Sequence, residues 1–267
     1  MFQITYGAAI TAISFLWVFI RICVAVKQKT VCWKREALLL LVYVCLIVVA
    51  RFVFFPVSKV NGVVQPLVFD KTMAYPFRIN LIPFAYLMDY EIRREAWLNL
   101  IGNTAMFIPI GIVWPSVFRK LDTHKKILAA GIGMSLAIEI IQLPFYDRVT
   151  DIDDLILNAL GFAMGYGLFL LVRQITKSVR IRMAIKRVQR MERIFEELSE
   201  VQKWKNVQMQ PVLLEKYRIL IEYYDSDLWM QDYQMDERGE LPQDLKRGVL
   251  SEDGIYNLLT ELEQEES

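Results

Sequence analysis

The chain has few of the residues that build disulfide frameworks and metal centres. It contains three cysteines and one histidine among 267 residues. Cys23, Cys32 and Cys45 lie in or beside the first two apolar stretches, so their placement indicates neither a disulfide framework nor a metal site. The sequence has no nucleophile elbow, phosphate-binding loop or zinc-binding motif. We therefore expect no metal and no cofactor, and no residue is assigned a catalytic role by motif.

The chain also has almost no net charge, but its charges are unevenly distributed. The formal net charge is +1, whereas residues 173–193 carry eight basic groups against one acidic group. Residues 194–267 reverse this balance, with seven basic and 18 acidic groups. We predict a basic juxtamembrane collar at 173–187 that contacts anionic lipid of the inner leaflet, and no nucleic-acid partner.

Five apolar stretches are long enough to cross a bilayer, which takes about 20 mostly apolar residues. They cover residues 6–26, 37–55, 97–118, 127–145 and 155–172. Basic residues concentrate after the first, third and fifth stretches, which places the N-terminus outside and the C-terminus in the cytoplasm. The N-terminus lacks a charged region and a cleavage site, so a removable signal peptide is not expected.

The predicted fold is all-α and has two main parts. Residues 1–172 form a polytopic bundle of about five transmembrane helices in the plasma membrane. Residues 188–267 show helical periodicity without a membrane-length apolar run, and we expect a small, acidic cytoplasmic domain of about three helices. Pro211 is expected to start one of these helices, and Ser251 is expected to cap the last.

The long outer segment between the second and third stretches contains two further features. Residues 63–69 fit a short strand or an extended piece. Residues 80–90 are aromatic and apolar but too short to span, so they lie at the interface, re-enter the membrane, or form a packed outer cap.

Six polar side chains recur near the outer ends of the last three stretches. They form three pairs at helical spacing: Asn99 with Asn103, Glu139 with Gln142, and Asp154 with Asn158. Gly161 and Gly165 continue near the last pair, and small residues at this spacing let helices approach closely. We therefore expect one polar cluster between the third, fourth and fifth helices, toward the outer leaflet.

Each polar residue also has a plainer interpretation. Glu139 lies inside a predicted span, where an ionised carboxylate needs a partner, and we expect that partner to be Arg148 or Arg51. Asp151 and Asp153 fit solvated or helix-capping positions better than ligand contacts. The asparagines bridge helices as readily as they bind a ligand. Acidic groups beside one loop can hold Ca²⁺ or Mg²⁺, but their spacing is not diagnostic.

Four segments resemble the VanZ-like family, bacterial membrane proteins named for a teicoplanin-resistance protein. They are NLIPF at 80–84, NLIGNTAMFIPIG at 99–111, SLAIEIIQ at 135–142 and RVTDIDDLILNALGFAMG at 148–165. The resemblance extends over about residues 5–172. It implies a ligand-binding polar pocket at seven positions: Asn99, Asn103, Glu139, Gln142, Arg148, Asp154 and Asn158. The segment LPQDLKRGVLSEDGIYNLL is similar to a small bacterial domain of unknown role.

The resemblance implies a role in the cell envelope and in glycopeptide tolerance, without a mechanism. We favour a non-enzymatic protein that binds or masks an envelope lipid or cell-wall precursor. The alternative is a membrane-embedded enzyme that modifies an envelope lipid or glycan. Glu139 would then be the general acid or base, and Arg148 would hold a phosphate or carboxylate. A transporter ranks lower, because no inverted repeat is visible.

Overall fold

The computed structural model describes residues 2–29, 31–55, 59–60, 62–69, 79–84, 93–118, 120–145, 150–202 and 211–266. The chain divides into two compact units, residues 1–172 and residues 173–267. The architecture is mostly helical, as predicted.

The first unit contains four helices and the start of a fifth. They are α1 (Tyr6–Gln28), α2 (Trp33–Phe54), α3 (Arg93–Val117), α4 (His124–Gln142) and α5 (Ile152–Gln202). Within the described residues, length and composition suit four helices to crossing a membrane: α1, α2, Leu100–Val117 of α3, and α5. They indicate a multi-pass membrane protein. The fourth predicted span, α4, is a 19-residue helix with three charged side chains and is not among these four.

Helices α1 and α2 are joined by polar contacts between largely apolar surfaces. The guanidinium of Arg21 donates from Nε to Oε2 of Glu36 at 2.9 Å and from Nη2 to Oε1 at 2.5 Å. The hydroxyls of Ser14 and Tyr43 lie 2.6 Å apart. The bidentate ion pair therefore connects the last part of α1 to the first turn of α2.

Short strands accompany the helices, so the all-α prediction was incomplete. Strand β1 (Phe2–Ile4) pairs antiparallel with β4 (Leu67–Phe69), β2 (Lys59–Val60) pairs antiparallel with β3 (Val63–Val64), and β5 (Ile79–Asn80) pairs in parallel with β6 (Thr150–Asp151). Two of these strands lie within the predicted 63–69 segment. Residues 85–90, predicted with 80–84 to re-enter the membrane or to cap it, lie outside the described residues.

Close backbone contact between α3 and α5 depends on glycine. A Cβ atom at Gly161 would lie 2.1 Å from the carbonyl oxygen of Thr104, and one at Gly165 would lie 2.0 Å from that of Ile108. Any larger residue would clash there, as expected for small residues at four-residue spacing. The core around this contact draws on α2, α3, α4 and α5: Val49, Val53, Phe107, Ile110, Ile127, Ile138, Phe162 and Tyr166.

The second unit packs three helices and a 3₁₀ turn against the later part of α5. These are α6 (Pro211–Tyr224), α7 (Asp227–Glu237), the turn Gly248–Leu250 and α8 (Glu252–Glu266). Both predicted helix starts are confirmed, because α6 begins at Pro211 and the Ser251 hydroxyl accepts from the Gly254 backbone N–H at 3.2 Å. The predicted collar lies inside α5, which continues from the fifth apolar stretch without a break.

Two buried carboxylates hold this second unit together. Asp232 is fully buried and accepts two hydrogen bonds from Arg187, each at 2.6 Å, and one from the Tyr223 hydroxyl at 2.9 Å. Glu192 accepts from the backbone N–H groups of Gly248 and Val249 at 3.0 and 2.7 Å. These contacts fix α6, α7 and the 3₁₀ turn against α5.

Candidate functional site

Glu139 is the most deeply enclosed charged residue of the predicted cluster. It lies in the last turns of α4 and is only 3% exposed. Its Oε2 atom accepts a hydrogen bond from the Asp151 backbone N–H at 3.3 Å. Its backbone carbonyl accepts from the Thr150 hydroxyl at 3.1 Å. Glu139 therefore joins the end of α4 to strand β6, which leads directly into α5.

Asp154 connects the same region to α3. The side-chain amide of Asn103 donates a hydrogen bond to Oδ1 of Asp154. The charged groups that act on Glu139 in the described part of the chain are Asp154 and Asp151, and both are acidic. The structure therefore brings Asn103, Glu139 and Asp154 together where three helices meet, in an acidic and acceptor-rich setting.

Gln142 and Asn158 are buried beside this group, and each has an oxygen without a hydrogen-bond partner among the described residues. The Gln142 amide donates to the Val53 carbonyl at 2.9 Å and so joins α4 to α2. Within the described residues, Oε1 of Gln142, Oδ1 of Asn158 and the Thr104 hydroxyl are buried without a hydrogen bond. An unsatisfied buried polar group costs about 1–3 kcal/mol. A ligand that supplies hydrogen-bond donors would recover that cost.

The edge of the cluster is built from residues 79–84, among which the sequence analysis named no site residue. Asn80 in β5 donates to Oδ2 of Asp151 at 3.1 Å. The backbone N–H of Phe84 donates to both carboxylate oxygens of Asp153 at 2.8 and 3.0 Å. Asp151 and Asp153 therefore anchor residues 79–84 at the start of α5. The signal that pointed to Asn80 was its place in the NLIPF segment.

The predictions for Arg148, Asn99 and Arg51 have different outcomes. Arg148 and the side chain of Asn99 lie outside the described residues, so their roles stay predictions. The Arg51 guanidinium lies 5.3 Å from the centre of the Tyr6 ring and donates to the Phe55 carbonyl at 3.2 Å. Among the residues that the structure describes, no ion pair joins Arg51 to Glu139.

The cluster does not have the arrangement of a metal centre in the region described. No group of three or more His, Cys, Asp or Glu side chains there could hold a metal ion. His124 lies at the start of α4 and is exposed, with its Nδ1 atom 2.7 Å from the Tyr166 hydroxyl. The site can accept hydrogen bonds and can interact with positive charge.

Comparison with known proteins explains the quoted motifs. A family model described as VanZ/LLP1 matches residues 40–173, half of the chain. The chain belongs to the VanZ/LLP1 family. The resemblance predicted from the motifs is confirmed, although the match begins at residue 40 and leaves α1 outside it. All seven predicted site residues lie within the matched range.

Two further comparisons concern the tail and the relatives of this family. A second model, a domain of unknown function (DUF4298), matches residues 188–265. "Protein VanZ" of Enterococcus faecium is 32% identical over 91 residues, which are 34% of this chain and 52% of that protein. The match thus spans about half the length of that curated relative. No solved structure matches the chain.

Proposed function

We propose that this VanZ/LLP1 family protein binds an envelope lipid or cell-wall precursor and thereby lowers susceptibility to a teicoplanin-like glycopeptide. The observation that carries the proposal is the set of buried acceptor oxygens where α3, α4 and α5 meet. Asn158 is 2% exposed, and its Oδ1 atom has no partner in the described region. If a ligand donates hydrogen bonds to these oxygens, their role in binding explains why the protein keeps them although they lower its stability.

The proposed orientation has five spans, with the N-terminus outside and the C-terminus in the cytoplasm. The spans are α1, α2, α3, α4 and the first part of α5. Basic residues of the short loops support this orientation, because positive charge concentrates on the cytoplasmic side. The polar cluster then lies toward the outer leaflet, where envelope lipids and wall precursors are exposed.

Three side-chain amides in the described part of the cluster are already engaged as donors, which limits what the ligand must bring. The side-chain amide groups of Asn80, Asn103 and Gln142 donate to Asp151, Asp154 and the Val53 carbonyl. The acidic side chains and the unpartnered oxygens remain able to accept. Hydroxyl and ammonium groups, which sugars and amine-bearing headgroups carry, therefore suit the site best.

One observation favours the enzymatic alternative. Glu139 is a buried carboxyl group beside Asp154, and a pair of acidic groups in different surroundings is a common basis for acid–base chemistry. Purified full-length protein in detergent would turn over an envelope lipid or glycan under that alternative. Under the binding proposal, the same protein retains the ligand and releases it unchanged.

A susceptibility panel tests the binding proposal. A deletion strain is complemented with the wild-type chain, with Glu139→Gln, or with Asp122→Asn, which makes the same carboxylate-to-amide change at an exposed inner-side position. We expect wild type and Asp122→Asn to restore tolerance to teicoplanin and Glu139→Gln to fail, at equal membrane abundance. If the deletion changed susceptibility to no envelope-targeting antibiotic, the proposal would be wrong.

A further inference from the structure

Helix α5 carries two sets of basic residues between positions 173 and 193, and only one set is paired. In the paired set, Lys177 Nζ lies 3.4 Å from Oε1 of Glu240, and Arg180 donates to Gln231 at 3.4 Å. Arg187 belongs to the same set through its two hydrogen bonds to buried Asp232. These side chains serve contacts inside the second unit.

The other set consists of Arg182, Lys186 and Arg190. All three are exposed, and in the described part of the chain no hydrogen bond or ion pair reaches their side chains. They recur every four residues, so they share one face of α5. Like charges at this spacing repel one another weakly, and an anionic surface against them would offset that repulsion.

An apolar stripe leads into this basic face. Ile175, Val179 and Met183 are 53%, 43% and 61% exposed and also recur every four residues. Val179 is three residues before Arg182, and Met183 is three before Lys186, so the two sets form one continuous face of the helix. Basic side chains that directly follow apolar ones are typical of the place where a spanning helix leaves the bilayer on its cytoplasmic side.

Helix geometry allows this face to reach the lipid headgroups. A hydrocarbon core of about 30 Å takes about 20 residues of a perpendicular helix, and about 26 residues at a tilt of 40°. Counted from Asp154, the core therefore ends between about residue 174 and about residue 180. At the larger tilt, Arg182 and Lys186 lie about 3 and 9 Å beyond that boundary along the helix axis. Their long side chains extend into the headgroup layer.

We propose that the face formed by Ile175, Val179, Met183, Arg182 and Lys186 binds anionic phospholipid of the inner leaflet. The inference rests on the proposed placement of α5 as the last span. A second copy of this chain is a poorer occupant, because two such faces would bring equal positive charges together. The paired residues Lys177 and Arg180 point to other groups and contribute less to lipid binding.

Two double variants with equal loss of charge test this inference. Full-length protein in detergent is titrated with phosphatidylglycerol or phosphatidylcholine, and bound lipids are counted by native mass spectrometry. We expect wild type to prefer phosphatidylglycerol. Arg182→Gln/Lys186→Gln should weaken phosphatidylglycerol binding about 30-fold, at about fivefold for each basic residue near the surface. Lys177→Gln/Arg180→Gln should weaken it less than about fivefold.

Three results would overturn the inference. Equal losses in both double variants would mean that charge acts without a defined face. Unchanged binding in Arg182→Gln/Lys186→Gln would remove the face from lipid binding. A dimer mass that only this variant loses would identify a second copy as the occupant.

Folding of each variant is checked by circular dichroism. If the first double variant does not fold, Arg182→Gln alone carries the same test with an expected loss of about fivefold. No antibiotic is used in the titration, so its failure and the failure of the proposed function are distinguishable.

Discussion

The side-chain amide of Asn103 hydrogen-bonds the Asp154 carboxylate and joins α3 to α5 two helical turns before Gly161 meets the Thr104 carbonyl. The polar contact and the glycine contact depend on the same close approach of two backbones. A change that separates the helices at Gly161 should therefore also disturb the polar cluster.

We expect Gly161→Ala to destabilise the membrane unit strongly, because its methyl group would meet the backbone carbonyl of Thr104. Gly167→Ala is the matched control on α5, since a Cβ atom there has no neighbour within 4 Å. Alanine at Gly167 should be neutral or stabilise the helix by up to about 1 kcal/mol. Thermal unfolding of full-length protein in detergent measures both changes. Equal melting temperatures for the two variants would contradict the close contact.

Arg21 and Glu36 should stabilise the α1–α2 hairpin as a pair. Arg21→Gln or Glu36→Gln alone leaves one charge without its partner, and each should cost about 1–3 kcal/mol. The double variant should cost less than the sum of the single variants, because no unpaired charge remains. A double-mutant cycle on thermal unfolding in detergent measures this difference. Additive costs would show that the two side chains do not interact.

Local features of this fold could be predicted from the sequence, whereas contacts between residues distant in sequence could not. Pro211 and Ser251 were located as helix starts because capping preferences act locally. The Arg21–Glu36 pair and the Asn80–Asp151 contact were missed because neither spacing nor composition encodes which distant residues meet. The collar was predicted from its charge alone, and α5 runs on through it because lysine and arginine favour helix.

Three residues of the polar cluster were singled out from the sequence for a physical reason, and their role as site residues stays a prediction. Polar residues inside apolar stretches are costly, so Asn103, Glu139 and Asn158 stood out against their surroundings. Their contacts required the structure, because the backbone N–H of Asp151 and the Asn103 amide proved to be the donors near the acidic groups. The expected pairing of Glu139 with Arg148 stays a prediction, as do the roles of the two parts of the chain as separate domains.

The second unit should fold alone only when the fragment includes enough of α5. Ala184 is fully buried in its core, and Arg187 holds Asp232. A fragment of residues 173–267 should therefore unfold cooperatively in urea, whereas residues 188–267 should be less stable by several kcal/mol because Asp232 would be buried without its arginine. Circular dichroism measures both transitions. If the fragment 188–267 were as stable as the longer one, Arg187 would not stabilise the second unit.

Tyr223 should make the second unit sensitive to alkaline pH. Burial, followed by the nearby charge of Asp232, raises the pKa of Tyr223 above its ordinary value of 10.0. The folded state therefore keeps the phenol proton more tightly than the unfolded state does. The stability that results is fully present below about pH 10 and is lost as the pH rises above it.

Tyr223→Phe tests this dependence in the 173–267 fragment. Loss of the hydrogen bond to Asp232 should lower the free energy of unfolding of the variant by about 1 kcal/mol at neutral pH. Above pH 10, this free energy should decrease less steeply with pH than it does in wild type. Exposed Tyr256→Phe is the control and should follow wild type. Identical alkaline slopes for wild type and Tyr223→Phe, from urea unfolding at several pH values, would contradict the prediction.

We propose that the polar cluster, and not the tail, carries the function. A comparison of Glu139→Gln with a chain truncated after Lys186 tests this proposal. Teicoplanin susceptibility is measured in the deletion strain complemented with each form at equal membrane abundance. We expect Glu139→Gln to abolish tolerance and the truncated chain to keep more of it, because the proposed orientation puts the tail and the cluster on opposite sides of the membrane. Loss of tolerance on truncation, with tolerance retained in Glu139→Gln, would mean that the proposed cluster is structural and that the second unit carries the function.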